Sequence, residues 1–413
     1  MQGKTFIPEP AYQKTIDLQD RNASAFVVID SYLGGGGTGG IRMGESVTLE
    51  EVASLAHEMS LKFAWLNIAR GGAKSGITYS GELSAERKNR LLVEFGKSIS
   101  GLVESRAYIP GMDLGIGPQE MAVILSCEGF RTSVPTDISD IDSNYFTALT
   151  VFVALKALLD KRGERLSATR VLVEGVGKVS THLMRLIVAT GASIVGVSTI
   201  EGSIYDADGI DIEELLRLKE VHGDHCISEY AGQPPAPAED LYLQPADVLI
   251  PGARPNSINE KNVDSIVARF VVPIANISAS PEIETRMHNR GISYVPGFVS
   301  NSGGIFCWYL ARLSGEPRES IIRNGLASKI RNLILDADRA ELPIAELARL
   351  QANRNAARMA RENRSSLNRA VVLARKMAPR RLAYVVLGKL LGDNWASKDS
   401  IFCRWYFDAR YFQ

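Results

Sequence analysis

The sequence predicts a two-domain α/β protein, and three observations carry that expectation. At 413 residues the chain is too long for one ordinary core. From Arg170 onward, short apolar runs alternate with stretches of helical spacing, which is the pattern of a parallel doubly wound sheet. The texture also changes at about Thr147, where glycine-rich segments give way to that alternation.

Taken in order, Ser24–Asp30 is a strand, and Gly34–Gly40 is nearly all glycine, a loop that runs into Ile41-Arg42-Met43. Glycines let a backbone come close to a ligand, although Arg42 reads first as a pin for that loop. Thr48 caps a helix to Asn67, with Glu51 three residues on at capping-box spacing. A second helix covers Ser84–Leu102, and Ala107–Gly115 is a short strand ending in a glycine-flanked turn. Thr147–Leu159 is an apolar helix and Arg170–Glu174 a buried strand. Gly175-Val-Gly177-Lys-Val-Ser180 opens a helix through Ala189, and Ala192–Ser198 is the next strand. Further strands fall at Asp247–Ile250, Phe270–Pro273 and Ile292–Val295. Beyond Gly303 the chain reads as helix, broken at Pro317, Pro343 and Pro379.

Composition narrows the function classes. Lysine plus arginine equals aspartate plus glutamate at 47 each, so no net field attracts nucleic acid or an anionic membrane. The arginines between Arg354 and Arg381 alternate with alanine and leucine at helical spacing, as on a solvated helix face. No run of about 18 apolar residues marks a membrane span, and no charged, apolar start marks a signal peptide. Cys127, Cys226, Cys307 and Cys403 are scattered, which suits structural thiols in a reducing compartment, and the expected location is cytoplasmic. His222, His225 and Cys226 lie in a polar stretch with no fourth partner, so no metal is expected.

Two segments carry chemistry. Met59-Ser-Leu-Lys62 closes a helix, and Arg70-Gly-Gly-Ala-Lys74-Ser-Gly76 presents a second lysine from what reads as a glycine loop. Two ammonium groups near one site favour loss of a proton from one of them. The neutral amine, expected at Lys74, is then a general base, and its charged neighbour a clamp for a carboxylate. In the second segment, Gly175 and Gly177 follow a strand and begin a helix, the context in which this spacing binds a dinucleotide pyrophosphate. Ser180 stands at the third position of that pattern. The next strand ends Ser198-Thr199-Ile200-Glu201-Gly202, displacing the ribose-reading acid by about two residues. Glu201 reaching round the turn favours NAD, whereas Thr199 without a carboxylate admits NADP, and the residues leave both open.

These pieces, in this order, resemble the glutamate, leucine, phenylalanine and valine dehydrogenase family, from about Ala25 to Leu313. The markers are Gly39-Gly-Ile-Arg42, Met59-x-x-Lys62, Gly71-Gly-Ala-Lys74-x-Gly76, Asp113-x-Gly115 and Thr147-Ala148. They continue with Gly175-x-Gly177, Pro251-Gly-Ala253 with Asn256, Ala275-Asn276 and Asn301-Ser-Gly-Gly304. The resemblance implies that Lys62 clamps the substrate α-carboxylate, helped by backbone groups at Gly39 and Gly40. It implies that Lys74 activates water and stabilises the carbinolamine, and that Asp113 shuttles a proton to the amine. Thr147 and Asn276 resemble contacts near the nicotinamide ribose, and Asn301 the polar residue beside substrate and nicotinamide. Lys178, Val179 and Ala253 join Gly175, Gly177 and Glu201 in the expected cofactor site.

Glutamate-using members place a lysine just before the Gly-Gly pair and a serine after the Asn-x-Gly-Gly turn. Those positions here are Thr38 and Trp308, which disfavours a side-chain carboxylate and favours an apolar or aromatic substrate. Trp308 turning into the helix core is the competing reading. Thr150 stands where the family's helix generally has glycine, and the tail beyond about Ser365 is longer and richer in arginine and aromatics.

The expectation is therefore an α/β protein with a Rossmann-type doubly wound nucleotide domain, an α/β substrate domain and a helical C-terminal region. Residues 1–145 form the substrate domain, 146–312 the NAD(P)-binding domain, and 313–413 helices that pack back on the substrate domain. The expected reaction is NAD- or NADP-dependent oxidative deamination of an apolar or aromatic L-amino acid to its 2-oxo acid and ammonia, or the reverse. The expected assembly is a homo-oligomer. A family-derived nucleotide sensor or scaffold, or a dehydrogenase for a specialised biosynthetic oxo acid, is the alternative.

Overall fold

The computed structural model describes residues 9–127, 142–232, 234–310 and 318–363. The tail expected from 365, with Pro317, Pro379 and Cys403, lies outside the described residues. The chain divides into two units: one holds the described residues up to 127 together with those from Gln351, the other those from 142 to Leu350.

In the first unit, β1 (Tyr12–Asp17), β2 (Ala23–Ile29), β3 (Gly37–Met43), β4 (Gly71–Tyr79) and β5 (Tyr108–Met112) form one sheet in the order β1-β2-β4-β3-β5. β1 and β4 run antiparallel to β2, whereas β3 runs parallel to both β4 and β5. The helices are α1 (Leu49–Trp65), α2 (Ala85–Glu104) and α3 (Pro118–Ser126). Alternation along β2 sorts the two faces. Val27 and Ile29 join Ile41, Ile77, Phe95, Ile99 and Ile124 in one core with α2 and α3. Val28 faces the other way and packs with Val47, Val52 and Ala56 of the α1 side.

Both glycine-rich segments of this unit belong to strands. The Gly34–Gly40 stretch enters β3 at Gly37, and the segment bearing Lys74 is β4. Glycine here serves close packing. A Cβ on Gly72 would lie 2.2 Å from the backbone of Ala56 and Ser60 in α1. The expectation of a loop fails because glycine in a sheet interior can mark close approach of another backbone rather than a turn.

In the second unit, β6 (Arg170–Glu174), β7 (Ser193–Thr199), β8 (Gly202–Tyr205), β9 (Val248–Ile250), β10 (Phe270–Val271) and β11 (Ser293–Tyr294) form a sheet in the order β11-β10-β9-β6-β7-β8. All pairings are parallel except β7 with β8. The helices are α4 (Ser143–Arg162), α5 (Lys178–Val188), α6 (Ile212–His222), α7 (Cys226–Ala231), α8 (Pro281–Asn289), α9 (Gly297–Ser300), α10 (Gly303–Leu310), α11 (Arg318–Ser320), α12 (Ala327–Arg339) and α13 (Ile344–Asn363). The chain goes from β6 outward to β7 and later returns to lay β9 on the other side of β6. That reversal is the point where open parallel sheets bind ligands beyond their carboxyl ends.

The expected boundary at 313 needs correction. α12 packs on α4, so the helices up to Leu350 belong to the second unit, and only the chain from Gln351 joins the first. The apolar stripe of α12 (Ile330, Leu333, Ile334, Ala337) finds its burial there.

Candidate active site

The first site builds from neighbouring strands of one sheet. Lys74 lies within β4, where every residue from Gly71 to Ile77 is buried, and it is about 4% exposed. Asp113 follows β5, and its carboxylate pairs with the Lys74 ammonium. Gly40 makes that approach possible, since a Cβ there would lie 2.8 Å from the Asp113 Cβ and 2.7 Å from the Met112 carbonyl oxygen. The Leu114 amide donates to Asp113 Oδ1 at 2.7 Å, and Arg42 Nη2 lies 3.5 Å from the same oxygen. Burial pushes the Asp113 carboxyl up, but Lys74, Arg42 and these hydrogen bonds outweigh it and leave the pKa below the usual value.

Arg42 acts on the site directly. Its guanidinium also donates to Glu51, which therefore does not close the capping box, although Thr48 Oγ1 accepts from the Glu51 amide at 3.2 Å. The sequence signal was present, an arginine entering the sheet from the glycine run, but spacing alone did not reveal its partners.

Lys62 ends α1 and is only 5% exposed. Burial lowers its pKa from 10.5 to about 8, with Lys74 adding to the fall and Glu58 and Asp113 opposing it. The amine driven toward neutrality is thus Lys62, whereas the sequence expectation put it at Lys74, which donates to Asp113 instead. Burial outranks like-charge repulsion as the cause. Gly39 and Gly40 lie in β3, Gly39 against the Ala73–Lys74 backbone and Gly40 against Asp113, and the Gly39 carbonyl accepts from Tyr108 Oη at 3.1 Å. Thr38 Oγ1 accepts from Arg70 Nε at 2.7 Å, and Arg70 Nη2 reaches the Gly37 carbonyl at 3.1 Å. The sequence reading gave Arg70 no role.

The second site builds around the end of β6. Gly175 adopts φ +87°, which a side chain would strain, and its amide donates to the Ser198 carbonyl at 2.8 Å. Gly177 caps α5 with nothing within 4 Å of a would-be Cβ, so open space lies at the helix amino-terminus. Lys178 and Val179 form the first turn, Lys178 exposed and Val179 half-buried. Buried Glu174, which the sequence reading counted only as strand, accepts from the Gly252 and Ala253 amides at 3.1 Å each. It ties the turn after β9 to β6, placing Ala253 beside Gly175, 3.4 Å from its would-be Cβ. A carboxylate ending an apolar strand was the available signal.

Asn276 and Asn301 come together: Asn301 Nδ2 donates to Asn276 Oδ1 at 3.0 Å and to the Ile274 carbonyl at 2.8 Å. Thr147 lies on α4 and donates back to the Ser143 carbonyl at 2.7 Å. Thr150 does likewise to Phe146 at 3.0 Å and lies against Gly303, so α10 packs directly on α4. Trp308 sits on α10, half-buried. Glu201 follows β7, with its carboxylate 3.6 Å from His225 Nδ1. Among the described residues no cluster suited to a metal ion occurs, and no helix is long and apolar enough to cross a membrane.

Comparison with known proteins agrees across both units. The Glu/Leu/Phe/Val dehydrogenase dimerisation domain matches residues 11–127, and the Glutamate/Leucine/Phenylalanine/Valine dehydrogenase domain matches residues 141–363. The chain is 29% identical over 284 residues to the NAD-specific glutamate dehydrogenase of Staphylococcus aureus (strain COL), spanning 66% of this chain and 67% of that protein. The hetero-hexameric glutamate dehydrogenase of Thermus thermophilus, in a Leu-bound form, superposes with a TM-score of 0.70 at 26% identity, covering 85% of this chain and 88% of that one. The L-tryptophan dehydrogenase of Nostoc punctiforme shares the fold at a TM-score of 0.60 and 20% identity, covering 85% and 96%. The buried lysine–aspartate pair, the second lysine and the doubly wound sheet thus occur in a chain that belongs to the glutamate/leucine/phenylalanine/valine dehydrogenase family of NAD(P)-dependent amino acid dehydrogenases.

Proposed function

We propose that the chain catalyses oxidative deamination of an L-amino acid to its 2-oxo acid and ammonia, or the reverse amination, with Lys74 and Asp113 moving the protons. The observation that carries this is the buried Lys74–Asp113 ion pair beside Lys62 and Arg42. Protonated Lys62 holds the substrate α-carboxylate, with the backbone of Gly39 and Gly40 alongside. Asp113 takes a proton from the substrate amine, which leaves the nitrogen lone pair free to expel hydride from the α-carbon. Once its ammonium has released a proton to solvent, the Lys74 amine takes a proton from water as the water adds to the imine carbon, then stabilises the carbinolamine until ammonia departs. The bound nicotinamide dinucleotide supplies the hydride acceptor. Gly175, Gly177, Lys178, Val179, Ala253, Thr147, Asn276 and Asn301 are the residues proposed to hold it.

For the side chain, Thr38 in place of a lysine and half-buried Trp308 support an apolar or aromatic amino acid. The Arg70 guanidinium on the Thr38 hydroxyl favours a second reading, an acidic side chain. Oxidation of NADH and NADPH against a panel of 2-oxo acids with ammonia separates the two. Silence across the panel with retained cofactor binding would favour the nucleotide sensor. Lys74→Ala is expected to abolish turnover while cofactor still binds, and near-normal turnover would refute the assignment. We also propose that the chain assembles as a homo-oligomer, which light scattering would test. Its free, buried Cys127, Cys226 and Cys307 fit a reducing, cytoplasmic setting.

A further inference from the structure

We infer that the buried Ser75 and Tyr108 hydroxyls form a positioning relay that holds the Gly39–Gly40 peptide, from behind the sheet, for the substrate α-carboxylate. The inference rests on the dehydrogenase reading above, in which that backbone assists Lys62, and deepens it. Tyr108 opens β5 and is fully buried, as is Ser75, the neighbour of Lys74 in β4. The Tyr108 hydroxyl donates to the Gly39 carbonyl at 3.1 Å, and the Ser75 hydroxyl lies 3.0 Å from the Tyr108 oxygen. The direction of both bonds is forced. A carbonyl has no proton to give, so the single phenolic proton goes to Gly39, and the bond between the two hydroxyls takes its proton from Ser75. Burial pushes the Tyr108 pKa well above the ordinary value, with Ser75 opposing the rise and Asp113 adding to it, so the phenol stays a donor.

Three strands carry the site, and the relay joins those three. β4 bears Lys74 and Ser75, β5 bears Tyr108 and leads into Asp113, and β3 bears Gly39 and Gly40. The relay works from the other face of the sheet. Tyr108 packs in the core with Ile41 and Phe95, whereas Lys74 stands opposite Val28 in register, on the α1 side. Hydroxyls placed there hold the strands without filling the space a substrate needs.

The glycines are the reason such a device is needed. Neither can carry a side chain to anchor it: a Cβ on Gly39 would lie 1.6 Å from the Ala73 carbonyl oxygen, and one on Gly40 2.7 Å from that of Met112. Glycine backbone also has the most conformational freedom to lose. On the β5 side the two residues pair with Pro110 and Gly111, but the β3–β4 register runs to Thr38–Gly72 and resumes at Ile41–Ser75. Because a peptide unit is planar and trans, fixing the Gly39 carbonyl also fixes the direction of the Gly40 amide. An amide already set in place loses little freedom on binding a carboxylate, so the relay acts on substrate affinity rather than on the chemical step.

The test is steady-state kinetics of the full-length chain with the most active 2-oxo acid of the panel above. Cofactor titration and the melting temperature of each variant serve as controls. Tyr108→Phe keeps the ring and removes the donor; it should raise the KM for the 2-oxo acid about tenfold, with kcat within about twofold and cofactor affinity unchanged. Ser75→Ala leaves the bond to Gly39 in place and should raise that KM only about threefold. In a relay the two losses are not additive, so the double variant should be no worse than Tyr108→Phe alone. A native KM in Tyr108→Phe, whatever its melting temperature, a kcat that falls as much as KM rises, or fully additive losses would each overturn the inference. If Tyr108→Phe does not fold, Ser75→Ala decides, and a native KM there overturns it. In all these cases turnover by the native chain leaves the dehydrogenase reading standing, whereas silence of the native chain across the panel would sink both.

Discussion

Lys62 shows how one buried side chain couples stability to function. Its pKa near 8 means that below pH 8 it is charged in both folded and unfolded chains, and the folded state carries the desolvation cost. As pH rises from about 8 toward the ordinary 10.5, the folded chain loses this proton first, so this group's contribution to stability improves across that window. Lys62→Met should therefore raise stability by about 1–3 kcal/mol at pH 7 in denaturant titration and lose the gain at high pH. The same variant should abolish binding of a 2-oxo acid. In the native chain, affinity for a 2-oxo acid should decline above pH 8 as the clamp loses its charge. A flat affinity from pH 7 to 9.5 would contradict the clamp. Asp113 offers the complementary measurement: Asp113→Asn removes the partner of two buried cations and is expected to lower both stability and turnover.

At the scale of elements, the position of α1 against β4 decides where Lys62 sits. Gly72→Ala would drive a methyl into the α1 backbone at Ala56 and Ser60, atoms that cannot rotate away. It should destabilise the fold by about 1–3 kcal/mol and depress activity, because the helix carrying Lys62 must move. Gly101→Ala is the control. It lies in α2 with nothing within 4 Å of the added atom, and it should stabilise by up to about 1 kcal/mol. Equal effects at the two positions would show that helix–sheet packing does not set the site. These glycines are also where reading the sequence fell short. β2, α1, α2, β6 and β7 could be recognised from period and caps, but β3 and β4 looked like loops because their packing partner lies elsewhere in the chain.

For the molecule as a whole, α13 begins in the unit ending at Leu350 and continues in the unit resuming at Gln351. Each end is held within its own unit. Arg349 makes a two-pronged bond to buried Glu284 of α8, at 2.6 and 2.7 Å. Asn355 and Arg358 bond to the Ala64 carbonyl and the Asn67 side chain after α1, each at 3.1 Å. Burial holds the Glu284 pKa above the ordinary value even against the pull of Arg349, so the pair is a costly arrangement. Arg349→Met should destabilise by roughly 3 kcal/mol by leaving a buried carboxylate without its cation. The double variant with Glu284→Leu should recover most of that loss, and failure to recover would show that the pair does more than neutralise charge.

The sequence by itself determined the class of fold, the glycine turn between strand and helix at Gly175–Gly177 and the grouping of Lys62, Lys74 and Asp113. Those rest on local periods, on glycine conformations and on the order of short segments. Only the tertiary structure decided that Lys74 pairs with Asp113 while burial falls on Lys62, that Arg42 and Glu174 brace the two candidate sites, and that the helices up to Leu350 stay with the second unit. Burial and pairing depend on which distant segments pack together, and no spacing along one strand or helix encodes its partner on another.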